Sequence, residues 1–168
     1  MYKRQVNNIS CYGLLDGNVS LNIFGGTPPF TEDWAGNNPN ALAQGTYSFT
    51  IADNNGCLFF DSITIIEPDS LSYFSTVNNI SCYGLSDGNA TINISGGVAP
   101  YYQDWGLSDP TNLSFGMHYY TISDTNGCSL SDSLFITEPI ELLVSISSTN
   151  VTCYGGNNGT AILSISGG

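Results

Sequence analysis

The residues of this chain that most directly suggest chemistry are its five cysteines. Cys11 and Cys57 stand 46 positions apart, Cys82 and Cys128 stand the same distance apart, and Cys153 is left over. The sequence has no C-x-x-C pair and a single histidine, so the clusters that bind zinc are missing. Pairs that recur at one spacing therefore predict disulfide bonds, which form in oxidising compartments outside the cytosol.

Two short acidic segments offer oxygen ligands for a calcium ion. Asp53 and Asn55 belong to an Asp-Asn-Asn-Gly segment, and Asp124 and Asn126 belong to an Asp-Thr-Asn-Gly segment. They match only part of an EF-hand loop, because no glutamate follows at the position that would complete the loop. The alternative is an Asx turn, in which the side chain bonds to its own backbone. We favour the turn, with calcium as the one candidate cofactor.

The two tryptophans each follow an aspartate and allow two interpretations. Trp34 and Trp105, with Tyr101 and Tyr102 just before the second, have the composition of a sugar-stacking platform. A single tryptophan in a small β domain is more often the anchor of its core, as in immunoglobulin domains. We favour the core anchor, with a carbohydrate-binding surface as the alternative.

These residues recur because the chain repeats itself. A shift of 71 positions superposes Cys11 on Cys82 and Cys82 on Cys153 without a gap. The same shift superposes the tryptophans, the acidic segments and the Glu-Pro pair at 67–68 on their counterparts. Such a period predicts a tandem array of structural repeats, here called copies. The assigned parts are a leader foreign to the repeat at 1–5, a first copy at 6–68, a second copy at 69–139 and the truncated start of a third copy at 140–168.

The repeat also predicts how the cysteines pair. Each whole copy holds two cysteines, which gives one disulfide per copy, Cys11–Cys57 and Cys82–Cys128, while the partner of Cys153 would lie beyond residue 168. Closing a loop of this size stabilises a domain by roughly 4 kcal/mol. That contribution matters for a copy of about 70 residues, whose core alone is marginal.

The residue pattern within each copy is that of β-strands. Apolar and polar residues alternate over 19–24 and over 90–95, which turns one set of side chains inward. Further strands are predicted at 46–52, 58–66, 118–123 and 130–137. Asp16-Gly17 predicts a tight hairpin with positive φ, and Asn55-Gly56 predicts another tight turn. The fold class that we predict is all-β, with each copy a small Ig-like sandwich.

The charge distribution disfavours whole classes of partner. The chain has a formal net charge of −12, and Lys3 and Arg4 are its only basic residues. Nucleic acids and anionic membranes both require basic side chains, so neither is expected as a partner. No apolar run has membrane-spanning length and no secretory leader is present, so we expect an internal segment of a larger exported protein.

Catalysis is not expected from this set of residues. His118 is the only histidine, and the first copy has Tyr47 at the corresponding position. A residue that one copy lacks cannot belong to a site that both copies share, and no nucleophile–base arrangement is evident. We predict that the chain is not an enzyme and that His118 fills a core or corner position.

The residues assembled above resemble a known repeat. Four parts of the second copy are similar to the SprB repeat. They are Cys-Tyr-Gly-Leu-Ser-Asp-Gly-Asn-Ala-Thr-Ile-Asn-Ile-Ser-Gly-Gly at 82–97, the tryptophan at 105, Thr-Ile-Ser-Asp-Thr-Asn-Gly-Cys at 121–128 and Ile-Thr-Glu-Pro at 136–139. The resemblance covers nearly all of residues 6–168. It implies a repeat of giant surface adhesins of Bacteroidota, which include the mobile adhesin of gliding motility and are exported by type IX secretion.

A modification motif accompanies this resemblance. Asp-Ser followed by an apolar residue occurs at 61–63, 69–71 and 132–134, and looks like the O-glycosylation motif known in Bacteroidota. Ser62, Ser70 and Ser133 are therefore candidate O-glycosylation sites of a secreted glycoprotein.

The sequence as a whole predicts a semi-rigid rod of disulfide-stapled copies at the cell surface, because linkers of a few residues that contain proline restrict the hinge. Its expected function is a stalk that holds an adhesive tip away from the cell, or that adheres weakly along its length. A carbohydrate-binding module and a subunit of an extracellular filament joined through strand edges are the alternatives. The expected partners are neighbouring copies, then glycans, other surfaces or further chains of a filament.

Overall fold

A computed structural model describes residues 2–168 of the chain, and all regular structure within them is β-strand. The strands are β1 (Tyr2–Asn7), β2 (Asn18–Ile23), β3 (Thr31–Asp33), β4 (Gly45–Ala52), β5 (Leu58–Ile65), β6 (Ser72–Asn78), β7 (Asn89–Ser95), β8 (Tyr102–Asp104), β9 (Gly116–Ser123), β10 (Ser129–Ile136), β11 (Leu143–Thr149) and β12 (Thr160–Ser166). This part of the chain contains no helix with the length and apolarity that crossing a membrane requires.

The strands of each whole copy form one two-stranded and one three-stranded sheet. In the first copy β1 pairs with β2, and β4 lies between β3 and β5. In the second copy β6 pairs with β7, and β9 lies between β8 and β10. The strands β11 and β12 pair as a further two-stranded sheet with the connectivity of β1 and β2. The all-β fold built from small repeated sheets confirms the predicted all-β class, whereas the Ig-like form of each copy stays a prediction.

The core of the first copy lies between its two sheets. Alternation along β2 buries Val19 and exposes Ser20 and Asn22, as the period-2 pattern predicted. The buried cluster draws on both sheets and on the loops, and consists of Ile9, Val19, Trp34, Leu42, Phe49, Ile51, Ile63 and Ile65. The second copy buries the matching set of Ile80, Ala90, Ile92, Trp105, Leu113, Tyr120, Ile122, Leu134 and Ile136.

The glycine that follows Asp16 is required by close packing. The connection between β1 and β2 runs from residue 8 to residue 17, and the φ of Gly17 is not positive, so the predicted tight hairpin was wrong. The Leu42 N–H donates to the Gly17 carbonyl at 2.8 Å. A Cβ atom on Gly17 would lie 2.7 Å from the Leu42 carbonyl oxygen and 2.7 Å from Ile65 Cγ2. Any side chain here would push the loop off the core.

Residues 2–5 belong to the segment 1–5 that is predicted to be a leader foreign to the repeat, and this foreign origin stays a prediction. They form part of β1, where Tyr2 pairs with Ile23. The Tyr2 ring meets the ring of Phe49 edge-on at 5.9 Å between centroids, and the Tyr2 hydroxyl bonds to the Asp61 carboxylate. Residue 1 of that segment lies outside the described residues.

The described chain divides into two compact units, each of which contains segments of more than one copy, and the predicted boundaries between copies stay a prediction. The first unit comprises the chain up to Tyr73 together with residues 94–103 and 122–130. The second unit comprises residues 74–93, 104–121 and 131–168. The first copy therefore shares one unit with two segments of the second copy.

We predict that Leu42→Ala lowers the free energy of unfolding by about 2–5 kcal/mol, because a buried leucine leaves a cavity when it is truncated. Leu42 is 1% exposed, whereas Leu107 is fully exposed. The matched control Leu107→Ala should change the free energy of unfolding by less than about 0.5 kcal/mol. Urea denaturation followed by circular dichroism measures both, and equal effects of the two substitutions would contradict this core.

Candidate functional site

The carboxylate of Asp53 organises the turn between β4 and β5. Its Oδ1 accepts the N–H groups of Asn55 and Cys57, both at 2.9 Å, and its Oδ2 accepts the Thr27 N–H at 3.1 Å. The hydrogen bonds from Cys57 and Thr27 hold the pKa of the Asp53 carboxyl below its usual range. Gly56 completes the turn with a φ of +77°, so the turn predicted at Asn55-Gly56 is confirmed.

The second copy has the same turn with the same bonds. Asp124 Oδ1 accepts the N–H groups of Asn126 and Cys128, both at 2.9 Å, and Oδ2 accepts the Val98 N–H at 2.8 Å. These are the bonds of an Asx turn. Within residues 2–168 no group of three or more His, Cys, Asp or Glu side chains is placed to hold a metal ion. Calcium at Asp53, Asn55, Asp124 and Asn126 stays a prediction.

Cys11 lies in the loop between β1 and β2, which is fixed to the residues that follow β5. The Ile9 N–H donates to the Ile66 carbonyl at 3.1 Å. The Gly13 N–H donates to the Glu67 carboxylate at 3.1 Å. These two bonds place the Cys11 loop at the end of the first copy where the chain leaves it, here called the exit end.

Cys57 lies at the other end of the same copy, here called the entry end. The hairpin of β4 and β5 pairs Gly45 with Ile65 at the exit end and Ala52 with Leu58 beside Cys57. Strands of eight residues separate these ends by more than about 20 Å. A disulfide requires Cα atoms within about 7 Å of each other. The predicted pairing Cys11–Cys57 is therefore wrong.

The disulfide of the described chain joins the two copies. Cys11 is bonded to Cys128, with 5.7 Å between their Cα atoms and a sequence separation of 117 residues. Next to this bond, Asn126 Nδ2 donates to the Ser10 carbonyl at 2.9 Å. The predicted pairing Cys82–Cys128 and the expectation of one disulfide inside each copy are therefore wrong as well. We call the contact of the Cys11 loop (residues 8–17) with the Cys128 turn (residues 124–128) the junction.

The linker between the copies is bonded into the junction. The Gly97 N–H donates to the Asp69 carbonyl at 2.8 Å, directly after the Glu-Pro pair at 67–68. Gly97 has a φ of +57°, and a Cβ atom there would lie 2.8 Å from Asp124 Oδ2. The Tyr101 hydroxyl donates to the Gly96 carbonyl at 2.7 Å. The Gly-Gly pair thus allows the linker and the Asp124 turn to approach each other.

The tryptophans lie inside the copies. Trp34 is 6% exposed and stacks on Phe49 with 4.7 Å between ring centroids, and its Nε1 donates to Glu32 at 3.1 Å. Trp105 is 7% exposed, and its ring lies 4.8 Å from that of Tyr120. Indoles buried in this way present no open face to a sugar ring. Of the four residues considered for a glycan platform, Tyr101 is half-buried and Tyr102 is exposed.

His118 makes the bond in the second copy that Tyr47 makes in the first. The Tyr47 hydroxyl donates to the Ala43 carbonyl at 3.1 Å. His118 Nε2 lies 2.8 Å from the Ser114 carbonyl oxygen, to which it donates. The other ring nitrogen, Nδ1, is hydrogen-bonded to the hydroxyl of Ser108 at 3.1 Å. His118 therefore occupies a corner position with its ring nitrogens engaged.

The three serines of the predicted glycosylation motif differ in exposure. Ser62 is exposed on β5, Ser70 is exposed just before β6, and Ser133 is half-buried on β10. The N–H groups of Ser62 and Ser133 each donate to the preceding aspartate at 2.7 Å. Their modification stays a prediction.

We predict that Asp53→Asn destabilises the chain at pH 7, because a neutral amide oxygen accepts the N–H groups of Asn55 and Cys57 less strongly and the amide NH2 cannot accept the Thr27 N–H. A lowered pKa in the folded state gives stability that is present above the unfolded pKa of about 3.9 and is lost as the pH falls through the folded value. The difference between wild type and variant should therefore shrink in acid. Thermal melting at several pH values measures it.

The control for this prediction is Asp33→Asn, since Asp33 Oδ1 accepts one backbone donor, the Ala35 N–H at 2.9 Å. We expect a smaller loss of melting temperature from Asp33→Asn at pH 7. A loss for Asp53→Asn that is independent of pH would contradict the role given to the Asp53 carboxylate.

One known family matches the chain in three segments, one in each of the successive copies. The SprB repeat family model matches residues 4–39, 74–105 and 145–168, which together make up more than half of the chain. No curated protein and no solved structure gave a match. Each matched segment begins in the first strand of a two-stranded sheet or just after its start. With one such match in each of its three successive parts, the chain belongs to the SprB repeat family.

Proposed function

We propose that the chain is a section of the stalk of a large bacterial surface adhesin, in which the copies act as spacers and adhesion is carried elsewhere. The SprB repeat is a repeat of such adhesins, which supports this role. The observation that carries the proposal is the junction, where a disulfide joins Cys11 of one copy to Cys128 of the next. A unit that only had to bind a ligand would not need a covalent bond to its neighbour.

The linker supports the same role. Asp69 is hydrogen-bonded to Gly97, and the Asp124 turn lies against the same glycine, so the segment after Pro68 has little freedom to act as a hinge. A proline at the end of each copy restricts the backbone further. We therefore propose that successive copies keep a fixed orientation and that the array behaves as a semi-rigid rod.

The placement of the candidate binding residues also favours a spacer. Trp34 and Trp105 are buried, and the carboxylates of Asp53 and Asp124 accept backbone donors on both oxygens. The side chains that were the candidates for binding a ligand are thus used to hold the fold. The disulfide itself requires an oxidising environment, which supports export to the cell surface.

We predict that the double variant Cys11→Ser/Cys128→Ser loses the fixed orientation of the copies while each copy stays folded, because the cysteines lie in loops outside the core. Small-angle X-ray scattering of the oxidised chain should show a broader distribution of interatomic distances for this variant than for wild type. The circular dichroism spectrum should remain that of the wild type.

The matched control is Cys57→Ser/Cys82→Ser, which removes two exposed thiols that are free in this chain. Its scattering curve should coincide with that of the wild type. Coincident curves for all three chains would contradict a role of the junction in fixing the copies.

We also predict that the oxidised chain shows no saturable binding on an array of bacterial and algal polysaccharides. Tyr102, 57% exposed, is the aromatic residue of the candidate platform best placed to meet a sugar. Saturable binding that Tyr102→Ala abolishes, with the melting temperature unchanged, would overturn the spacer role in favour of a carbohydrate-binding repeat. Polymers in sedimentation velocity that persist under reduction would favour a filament subunit.

A further inference from the structure

We propose that the thiols of Cys57, Cys82 and Cys153 are half-cystines of a disulfide ladder, in which every copy is bonded both to the copy before it and to the copy after it. The first cysteine of each copy pairs with the second cysteine of the following copy. Cys57 then takes its partner from a preceding copy, whereas Cys82 and Cys153 take theirs from following copies. The pairing does not depend on the stalk role.

The first argument is that Cys82 has the same surroundings as Cys11. The Ile80 N–H donates to the Thr137 carbonyl at 3.0 Å, as the Ile9 N–H does to Ile66 at 3.1 Å. The Gly84 N–H donates to the Glu138 carboxylate at 2.9 Å, as Gly13 does to Glu67. The loop of Cys82 is thus fixed at the exit end of its copy in the way that lets Cys11 bond to the next copy.

The second argument is that the surface beside Cys82 has room for a turn. An open depression there is lined by Ser81, Tyr83, Pro139, Leu142 and Gly168. The corresponding positions beside Cys11, one period earlier, include Ser10, Leu71 and Gly97. Of these, Ser10 accepts a hydrogen bond from Asn126 of the Cys128 turn, and Gly97 lies against Asp124 of the same turn. The depression at Cys82 is therefore formed by residues equivalent to those beside Cys11, and the Cys128-type turn of a following copy would fit there.

The third argument concerns Cys57, whose turn is equivalent to that of Cys128. The bond from the cysteine N–H to the aspartate Oδ1 is 2.9 Å in both turns. Cys57 borders a cavity that Tyr2 of β1 also lines, so it lies at the end where the chain enters the first copy. That is the end of the second copy at which Cys128 meets Cys11. Cys128 is half-buried by this bond, whereas Cys57 is exposed.

The fourth argument is the spacing. The observed bond spans 117 residues. A bond of this span repeats without conflict along an array, because the 71-residue period carries Cys11 onto Cys82 and Cys57 onto Cys128. Each copy then uses its first cysteine toward the following copy and its second toward the preceding copy, and no thiol is left over inside the array.

Each bond of the ladder forms by oxidation of two thiols. Two cysteine thiols lose two electrons and two protons as their sulfur atoms join. The acceptor is the disulfide of an exported thiol oxidant, whose S–S bond breaks to give two thiols that carry the protons. Oxidised glutathione serves as this acceptor in vitro and leaves as two molecules of reduced glutathione.

The ladder would limit how far the array can be stretched, a consequence that rests on the stalk proposal. The shortest covalent path along the array follows the backbone from the second cysteine of one copy to the first cysteine of the next copy, as from Cys57 to Cys82. It then crosses a disulfide to the second cysteine of the copy after that. The 25 residues of that segment are the part that tension can extend. Most of each copy is bypassed, so a pull on the array would not unravel it.

The test maps the thiols of this chain and of a lengthened chain. In the lengthened chain an additional copy of residues 69–139 follows residue 139, and one mass-changing substitution beside each of its two cysteines distinguishes its peptides from those of the original copy. Both chains are refolded with oxidised and reduced glutathione and blocked with N-ethylmaleimide. They are cleaved before aspartate, because the chain has no Lys or Arg after Arg4 for trypsin. Mass spectrometry then identifies the linked and the blocked cysteines.

In this chain we expect Cys11 linked to Cys128, and the N-ethylmaleimide label on Cys57, Cys82 and Cys153. In the lengthened chain we expect Cys82 to lose its label and to appear linked to the second cysteine of the added copy. The matched control replaces that cysteine with serine, and Cys82 should then regain its label.

A label that stays on Cys82 in the lengthened chain, or a bond between the two cysteines of the added copy, would overturn the ladder. The stalk proposal fails separately, through glycan binding or through unchanged scattering of the Cys11→Ser/Cys128→Ser variant. The two failures are therefore distinguishable.

Discussion

The rest of the structure depends on the separation of the two cysteines within one copy. The β4–β5 hairpin places Cys57 at its turn and the Cys11 loop at its open end, and a strand of eight residues is too long for any disulfide to span. A cysteine fixed at one end of a copy can bond only to something that approaches that end. In the observed structure the approaching group is the Cys128 turn of the next copy.

The other unusual residues serve this arrangement. The carboxylates of Asp53 and Asp124 hold the turns that present the second cysteines, and Glu67 holds the loop that presents Cys11. Gly97 lets the linker and the Asp124 turn come together without a side chain between them. The buried tryptophans belong to the cores that support these loops. A small domain that is marginal alone gains stability when a disulfide ties it to its neighbour.

Much of the fold could be predicted from the sequence, because strands with one buried face leave a period-2 pattern. The strand predicted at 46–52 is found at Gly45–Ala52, and that predicted at 58–66 is found at Leu58–Ile65. The three-residue strands β3 and β8 are too short to leave such a pattern. The cysteine pairing was mispredicted because a 46-residue and a 117-residue span both repeat with the same period. The choice between the two pairings depends on the end of the hairpin at which each cysteine lies. Neither this position nor the bonds of Ser10 and Glu67 at the exit end can be recognised from the neighbouring residues in the sequence. Gly17 was misread for a similar reason, since Asp-Gly serves equally for positive φ and for close packing.

The most direct test of the bond between copies is to stretch a single oxidised chain by its two ends and then add a reductant. Residues between Cys11 and Cys128 are held back until the bond is cleaved, and a separation of 117 residues corresponds to about 400 Å of extended chain. The account predicts one gain of about that length when the reductant acts on the unfolded chain. Two separate gains of about 160 Å each, the length expected for disulfides inside each copy, would contradict it.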